Sequence, residues 1–292
     1  MYKVICFVLL LLGTSCKDPA PAIPDEAMTP ADLSRSIVDL SAMPRDLSLP
    51  PADLNQDSAV SFHALWGADS NNIWAVGGGV GEPTAIRKWD GKTWNVQPNG
   101  STGPAISVWG TDVNNVLATG GELGGSAKIL RWDGKAWSIE TNAATEILTS
   151  VWGADKNNVW VVGLSGTILK WDGSVWSPQS SGTKKWLTGV WGTDTNNVWA
   201  VGEQGTVLRW NGATWTEQSS GSTAFLLRVR GTDINNVWVV GYDGVILKWN
   251  GAAWTAQASG TKSYLFDVWA ADSSNVWASG MNGLILKWDG AA

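Results

Sequence analysis

From residue 62 onward, short apolar runs alternate with clusters of glycine, asparagine, aspartate and serine on a fixed repeat. The anchor is the tryptophan of an LWG or VWG step, at Trp66, Trp109, Trp152 and Trp191, and of VWA at Trp269, with Arg230 standing in the fifth repeat. Eight residues after each anchor come Trp74, Leu117, Trp160, Trp199, Trp238 and Trp277. A third column holds Trp89, Trp132, Trp171, Trp210, Trp249 and Trp288, and a fourth holds Trp94, Trp137, Trp176, Trp215 and Trp254. In the third repeat the runs 148–153, 158–163, 167–171 and 175–179 are rich in Val, Ile, Leu and Trp, the composition of short strands. Turn chemistry separates them. Asp172-Gly173, Asn211-Gly212 and Asn250-Gly251 suit the positive φ of tight hairpins, and Ser165-Gly166 closes the second hairpin. The Asp155 to Asn158 segment can cap its own loop through an Asx turn.

Four antiparallel strands in about 40 residues, repeated six times, predict an all-β fold, a six-bladed β-propeller of four-stranded blades. A parallel solenoid has shorter turns and would not carry two glycine hairpins in every repeat. The sixth repeat reads through Trp288-Asp289-Gly290 without a fourth strand. Residues 52–58 lie where an N-terminal strand could complete that last blade; the alternative is a three-stranded blade with an exposed edge.

The first residues carry a different pattern. Lys3, the apolar run Val4 to Leu12 and the small residues Gly13-Thr14-Ser15 before Cys16 read as a signal peptide, too short to span a membrane. Ending on a cysteine, the segment resembles a bacterial lipobox, although Gly13 stands where that motif prefers leucine. The resemblance implies lipidation of Cys16, anchorage of an exported chain to a membrane and, with Lys17 following the cysteine, an outer-membrane or cell-surface address. Residues 17–57 contain Pro19, Pro21, Pro24, Pro30, Pro44, Pro50 and Pro51 and an Asp-Leu step every seven residues, which reads as a low-complexity tether. The expected organisation is a leader over 1–16, a tether over 17–57 and the propeller over 58–292.

Composition narrows the partners. Lys and Arg number 20 against 26 Asp and Glu, for a net charge of −6, which argues against a nucleic-acid partner because phosphate backbones need a basic face. Both cysteines, Cys6 and Cys16, lie in the leader, so the repeats are held without disulfides or thiolate metal sites. The 22 tryptophans outnumber 4 Phe and 3 Tyr, and indoles in fixed columns are first of all packing residues. The basic column before the third tryptophan (Lys88, Arg131, Lys170, Arg209, Lys248, Lys287) is read as pairing with acidic groups or lying along an indole rather than as an anion ring. The Asp69, Asp112, Asp155, Asp194, Asp233, Asp272 column is read as Asx capping rather than calcium binding. No cofactor or metal is expected.

The pattern VWG…NNVWAVG…GTILKWDG…W…SGT resembles tryptophan-rich propeller repeats of exported myxobacterial proteins. It is also similar to tectonin-type lectin repeats and, more distantly, to BNR and YCF48-like propellers. The resemblance covers 62–292 and speaks to the blade; fold does not assign chemistry. Enzymatic function is not expected. Glycoside hydrolysis needs a placed carboxylate pair, whereas the repeats hold few glutamates, and His63 is the only histidine.

Positions where repeats disagree point to a binding face. The loops between strands two and three, and those between blades, vary, while the opposite loops hardly change. Trp186, Phe225 and Tyr264 occupy equivalent places there and are expected to be exposed, with Glu203, Tyr242 and Asp243 near them, suiting a glycan. Arg228 and Arg230 on one strand face are expected to line the central channel, where two guanidiniums could hold an anion. The expectation is an envelope-anchored, non-catalytic binding module for glycan or polysaccharide, with a protein partner in an envelope assembly, as in YCF48-like propellers, as the alternative.

Overall fold

A computed structural model describes residues 60–122 and 127–290. The expectations for Cys16, the tether and a closing strand at 52–58 fall outside the described residues. Within them the chain is a six-bladed β-propeller. Five sheets have four antiparallel strands in sequence order, and the sixth has three (Leu265–Asp272, Asn275–Gly280 and Ile285–Trp288). In blade 3 the strands are Leu148–Asp155, Asn158–Gly163, Ile168–Trp171 and Trp176–Pro178, within two residues of the expected bounds. The first strand of each blade packs beside the first strand of the next, from blade 1 through blade 6. Among the described residues no comparable packing joins blade 6 back to blade 1.

The turns form as their chemistry dictates. Asp155 Oδ1 accepts the Asn157 backbone N–H at 2.7 Å, and both its oxygens accept from the Asn158 side chain. The same aspartate column repeats the Asx turn in every blade, so its lone pairs are spent on the backbone. In the outer hairpin only the glycine takes a positive φ (98° at Gly173), while Asp172 Oδ1 accepts the N–H groups of Ser174 and Val175.

Three contacts repeat between blades. First, in blades 1 to 4 the outer edge of the anchor indole reaches the glycine of the next blade. A Cβ added at Gly110, Gly192 or Gly231 would come within 2.8 Å of Trp66, Trp152 or Trp191 respectively. Where the anchor is Arg230, the facing residue of blade 6 is Ala270, since no indole needs that space. Second, the basic column lies between indoles, as its spacing suggested. Lys170 Nζ is 5.1 Å from the Trp160 ring of its own blade and 5.4 Å from Trp210 of the next. Lys248 spans Trp238 and Trp288 in the same way. A cation over an indole face contributes about 0.5–2 kcal/mol depending on how dry it is. Third, buried hydroxyls tie the inner strands: Thr149 Oγ1 donates to Leu187 O at 2.6 Å, and Thr188 Oγ1 to Leu226 O at 2.7 Å.

The two ends of the series show what these contacts supply. Trp152 and Trp191 are 8% and 9% exposed, whereas Trp269 in blade 6 is 60% exposed. Gly67 in blade 1, the counterpart of Gly192, has its nearest neighbours in its own hairpin. Lys287 lies over Trp277 of its own blade at 5.3 Å. Trp191→Ala is therefore expected to cost about 3–5 kcal/mol of stability, and Trp269→Ala about 0.5 kcal/mol or less. Equal losses in denaturant titration would contradict an open seam between blades 6 and 1.

The turn carboxylates also set an acid limit. Side-chain hydrogen bonds from Asn72 and Asn275 lead in holding Asp69 and Asp272 below the ordinary carboxylate range, and the Asn114 N–H leads for Asp112. In the outer hairpins the N–H groups of Thr93, Ala136 and Val175 lead in doing the same for Asp90, Asp133 and Asp172. A depressed folded pKa contributes stability above the unfolded value of 3.8 and loses it as pH falls through the folded value. The melting temperature should hold down to about pH 4 as far as these groups decide it, then fall; a loss beginning near pH 6 would implicate other groups.

Candidate functional site

The variable loops place their residues through one local device. In blades 3 to 6 the residue entering the blade offers its carbonyl to the first residue of the single 3-10 turn that follows strand two, as in Glu203 N–H to Trp186 O (2.9 Å), Tyr242 N–H to Phe225 O (2.8 Å) and Met281 N–H to Tyr264 O (2.8 Å). The second residue of each turn (Ser165, Gln204, Asp243, Asn282) has a left-handed φ between 55° and 59°. Such a conformation costs a non-glycine residue roughly 1–2 kcal/mol. Asn and Asp tolerate it best, so Ser165 and Gln204 carry the larger strain. Gln204, Asp243 and Asn282 project from their turns as exposed tips.

The aromatic residues come together, but not as an exposed row. Phe225 is 8% exposed and Tyr242 3%. Tyr242 stacks on both sides, with ring centroids 5.2 Å from Phe225 and 4.0 Å from Tyr264, the latter nearly parallel at 9°. Burial, followed by the neighbouring Tyr264, pushes the Tyr242 phenol pKa far up, so it stays protonated. The expectation of three exposed rings is corrected here. Phe225 is covered by the turn of its own blade, and Tyr242 is gripped between two blades. Trp186 and Tyr264 are half-buried, and the Trp186 N–H donates to Glu203 Oε2 at 3.3 Å. That carboxylate is thus aimed at the backbone. In blade 3 the same places hold the buried pair Ile147 and Leu164, an equivalence the sequence reading did not draw.

Arg228 lies three residues after Phe225, and Asp267 three after Tyr264, on neighbouring inner strands. In blades 2 to 4 the corresponding residues are the small Ser107, Ser150 and Gly189. Ser107 and Ser150 accept N–H groups of the next blade, Val151 and Val190 respectively. Arg228 instead donates to Thr188 O at 3.2 Å and lies 4.0 Å from Asp267. Arg230 is reached by water. Desolvation by the surrounding protein nonetheless leads in lowering its pKa, with Asp267 opposing and Arg228 adding to the effect. It remains a cation at neutral pH, so an anion at this place would meet one engaged guanidinium and one accessible one. Among the described residues no cluster of three or more His, Cys, Asp or Glu side chains could hold a metal ion.

No family model and no curated protein matches the chain. Solved structures do. The chain superimposes on YCF48 bound to D1 peptide with a TM-score of 0.61 at 16% identity, over 80% of this chain and 79% of that one. YCF48 from Cyanidioschyzon merolae gives 0.61 at 16% over 78% and 80%, and the C-terminal WD40 domain of Sif2 gives 0.62 at 18% over 80% and 68%. The chain is a tryptophan-rich β-propeller repeat protein. At these identities the likeness establishes the fold, and chemistry has to come from the residues.

Proposed function

We propose that this propeller is a non-catalytic binding module whose variable-loop face engages a protein partner. The observation that carries the reading is the closed aromatic stack. Phe225, Tyr242 and Tyr264 spend ring faces on one another, whereas a sugar platform needs free ones. The groups offered outward are the tips Gln204, Asp243 and Asn282, with Arg230 and the Arg228–Asp267 pair near the channel. Rigid backbone, polar tips of both charge types and loops that differ from blade to blade suit recognition of a polypeptide surface. A structural neighbour of the same fold that is bound to a peptide supports this choice over a glycan. Export and membrane attachment through a lipid on Cys16 belong to the same proposal, and they would place the face in the cell envelope.

Glycan recognition is the second reading, favoured by one feature: Trp186 and Tyr264 are half-buried aromatics on that face. The two readings separate in one experiment. A benzophenone side chain installed at position 243 is expected to give one discrete protein adduct from an envelope extract, weakened several-fold by Arg228→Glu. A glycan-array signal abolished by Trp186→Ala, with no protein adduct, would replace the protein reading with the glycan one.

A further inference from the structure

The inner strands of blades 4 to 6 break a pattern that the earlier blades keep. In blade 3 the Val151 N–H donates to Ser107 Oγ of blade 2 at 3.3 Å, and in blade 4 the Val190 N–H donates to Ser150 Oγ of blade 3 at 3.2 Å. Val229 holds the same place in blade 5, opposite Val239 as Val190 is opposite Ala200. The residue of blade 4 that stands where Ser150 stands in blade 3 is Gly189, which has no hydroxyl to accept that N–H. In blade 6 the Val268 N–H is taken instead by Asp267 Oδ1 at 2.9 Å.

Val229 lies between two arginines, whose side chains leave the strand on one face because they are two residues apart. Arg228 Nη1 donates to Thr188 O of blade 4 at 3.2 Å, and its Nε lies 4.0 Å from Asp267 of blade 6. Reaching both neighbours at once fixes this guanidinium where the inner strands of three blades meet. Arg230 is open to water although desolvation leads in lowering its pKa, which is the condition of a cleft rather than of an outer surface. Among the described residues no carboxylate is paired with it.

From this arrangement we infer an anion site on the inner strands of blades 4 to 6, where Arg230, Arg228 and the Val229 N–H together hold one carboxylate. A planar guanidinium meets a carboxylate with two parallel N–H donors, and the backbone N–H adds a donor of fixed direction. Two guanidiniums less the Asp267 carboxylate leave one net positive charge, which a carboxylate neutralises and a phosphate dianion exceeds. The inference deepens the binding-module reading and rests on it for the partner that brings the carboxylate; the site itself stands on the three groups.

The probe is acetate, titrated into the full chain at constant ionic strength with chloride as the balancing anion and followed by NMR. The Arg230 Nε–H and the Val229 amide should shift together along one saturable curve, while Arg131 and Arg209, held against indoles, stay still. Arg230→Gln is expected to weaken acetate binding about ten-fold. Asp267→Asn, at a side chain 60% exposed, is expected to strengthen it several-fold by removing the competing charge. Loss of folding could not produce these opposite effects. Shifts that grow linearly with acetate, or spread evenly over all the arginines, would overturn the inference, and so would weaker binding in Asp267→Asn. Cross-linking from position 243, repeated with Arg230→Gln, then separates the sources. A lost protein adduct assigns the carboxylate to a polypeptide, and an unchanged one assigns it to a free small acid. No adduct from either protein would sink the partner reading alone, since acetate decides the site without it.

Discussion

The structure depends on the outer edge of an indole set against a glycine of the next blade. Gly153, Gly192 and Gly231 leave room that a single methyl would close, and Trp109, Trp152 and Trp191 fill it. That approach sets the distance between inner strands. Everything else in the interface then follows at that spacing: lysine and arginine stems lie between two indoles, and threonine hydroxyls reach the carbonyls of the neighbouring blade. Without disulfides, four such interfaces and the Arg230–Ala270 junction hold the six blades in series through packing.

The same constraint explains the exceptions. Blade 5 gives up its anchor indole for Arg230, and blade 6 answers with Ala270 in place of glycine. Where the interface loosens, charge enters: Arg228, Arg230 and Asp267 cluster on the two strands that meet there. The proposed binding face, the channel cations and the blade with three strands among the described residues all fall in blades 4 to 6. Blades 2 to 4 carry most of the deeply buried residues. A rigid middle with a chemically varied end is a division of labour available to any chain of copied units, because only neighbours touch.

Much of this was legible in the sequence. Columns of tryptophan gave the blade count, and Asp155, Asn157 and Asn158 announced their turn, because both signals are local. The basic column was read as pairing with acidic groups or lying along an indole; Arg131 does both, with Glu140 and Trp171, while Lys170 and Lys248 lie between indoles. What the sequence concealed were relations between blades. Phe225 and Tyr264 look alike in a column, but Tyr242 arrives from a turn seventeen residues later and buries the first while stacking on the second. Two bonds between blades are also silent in one dimension, for Glu140 and Gln218 each accept the indole N–H of a tryptophan 36 residues ahead. The indole-on-glycine contact is itself such a relation, and it is not made between Trp269 and Gly67.

Hydroxyl-radical footprinting of the intact chain, read indole by indole by mass spectrometry, tests this account most directly. Trp152, Trp160, Trp191, Trp199 and Trp238 should be modified slowly and Trp269 rapidly, marking one open seam in an otherwise interlocked series. Protection of Trp269 equal to that of Trp191 would mean that blade 6 packs on a glycine as blades 1 to 4 do, and the account of an open seam between blades 6 and 1 would be wrong.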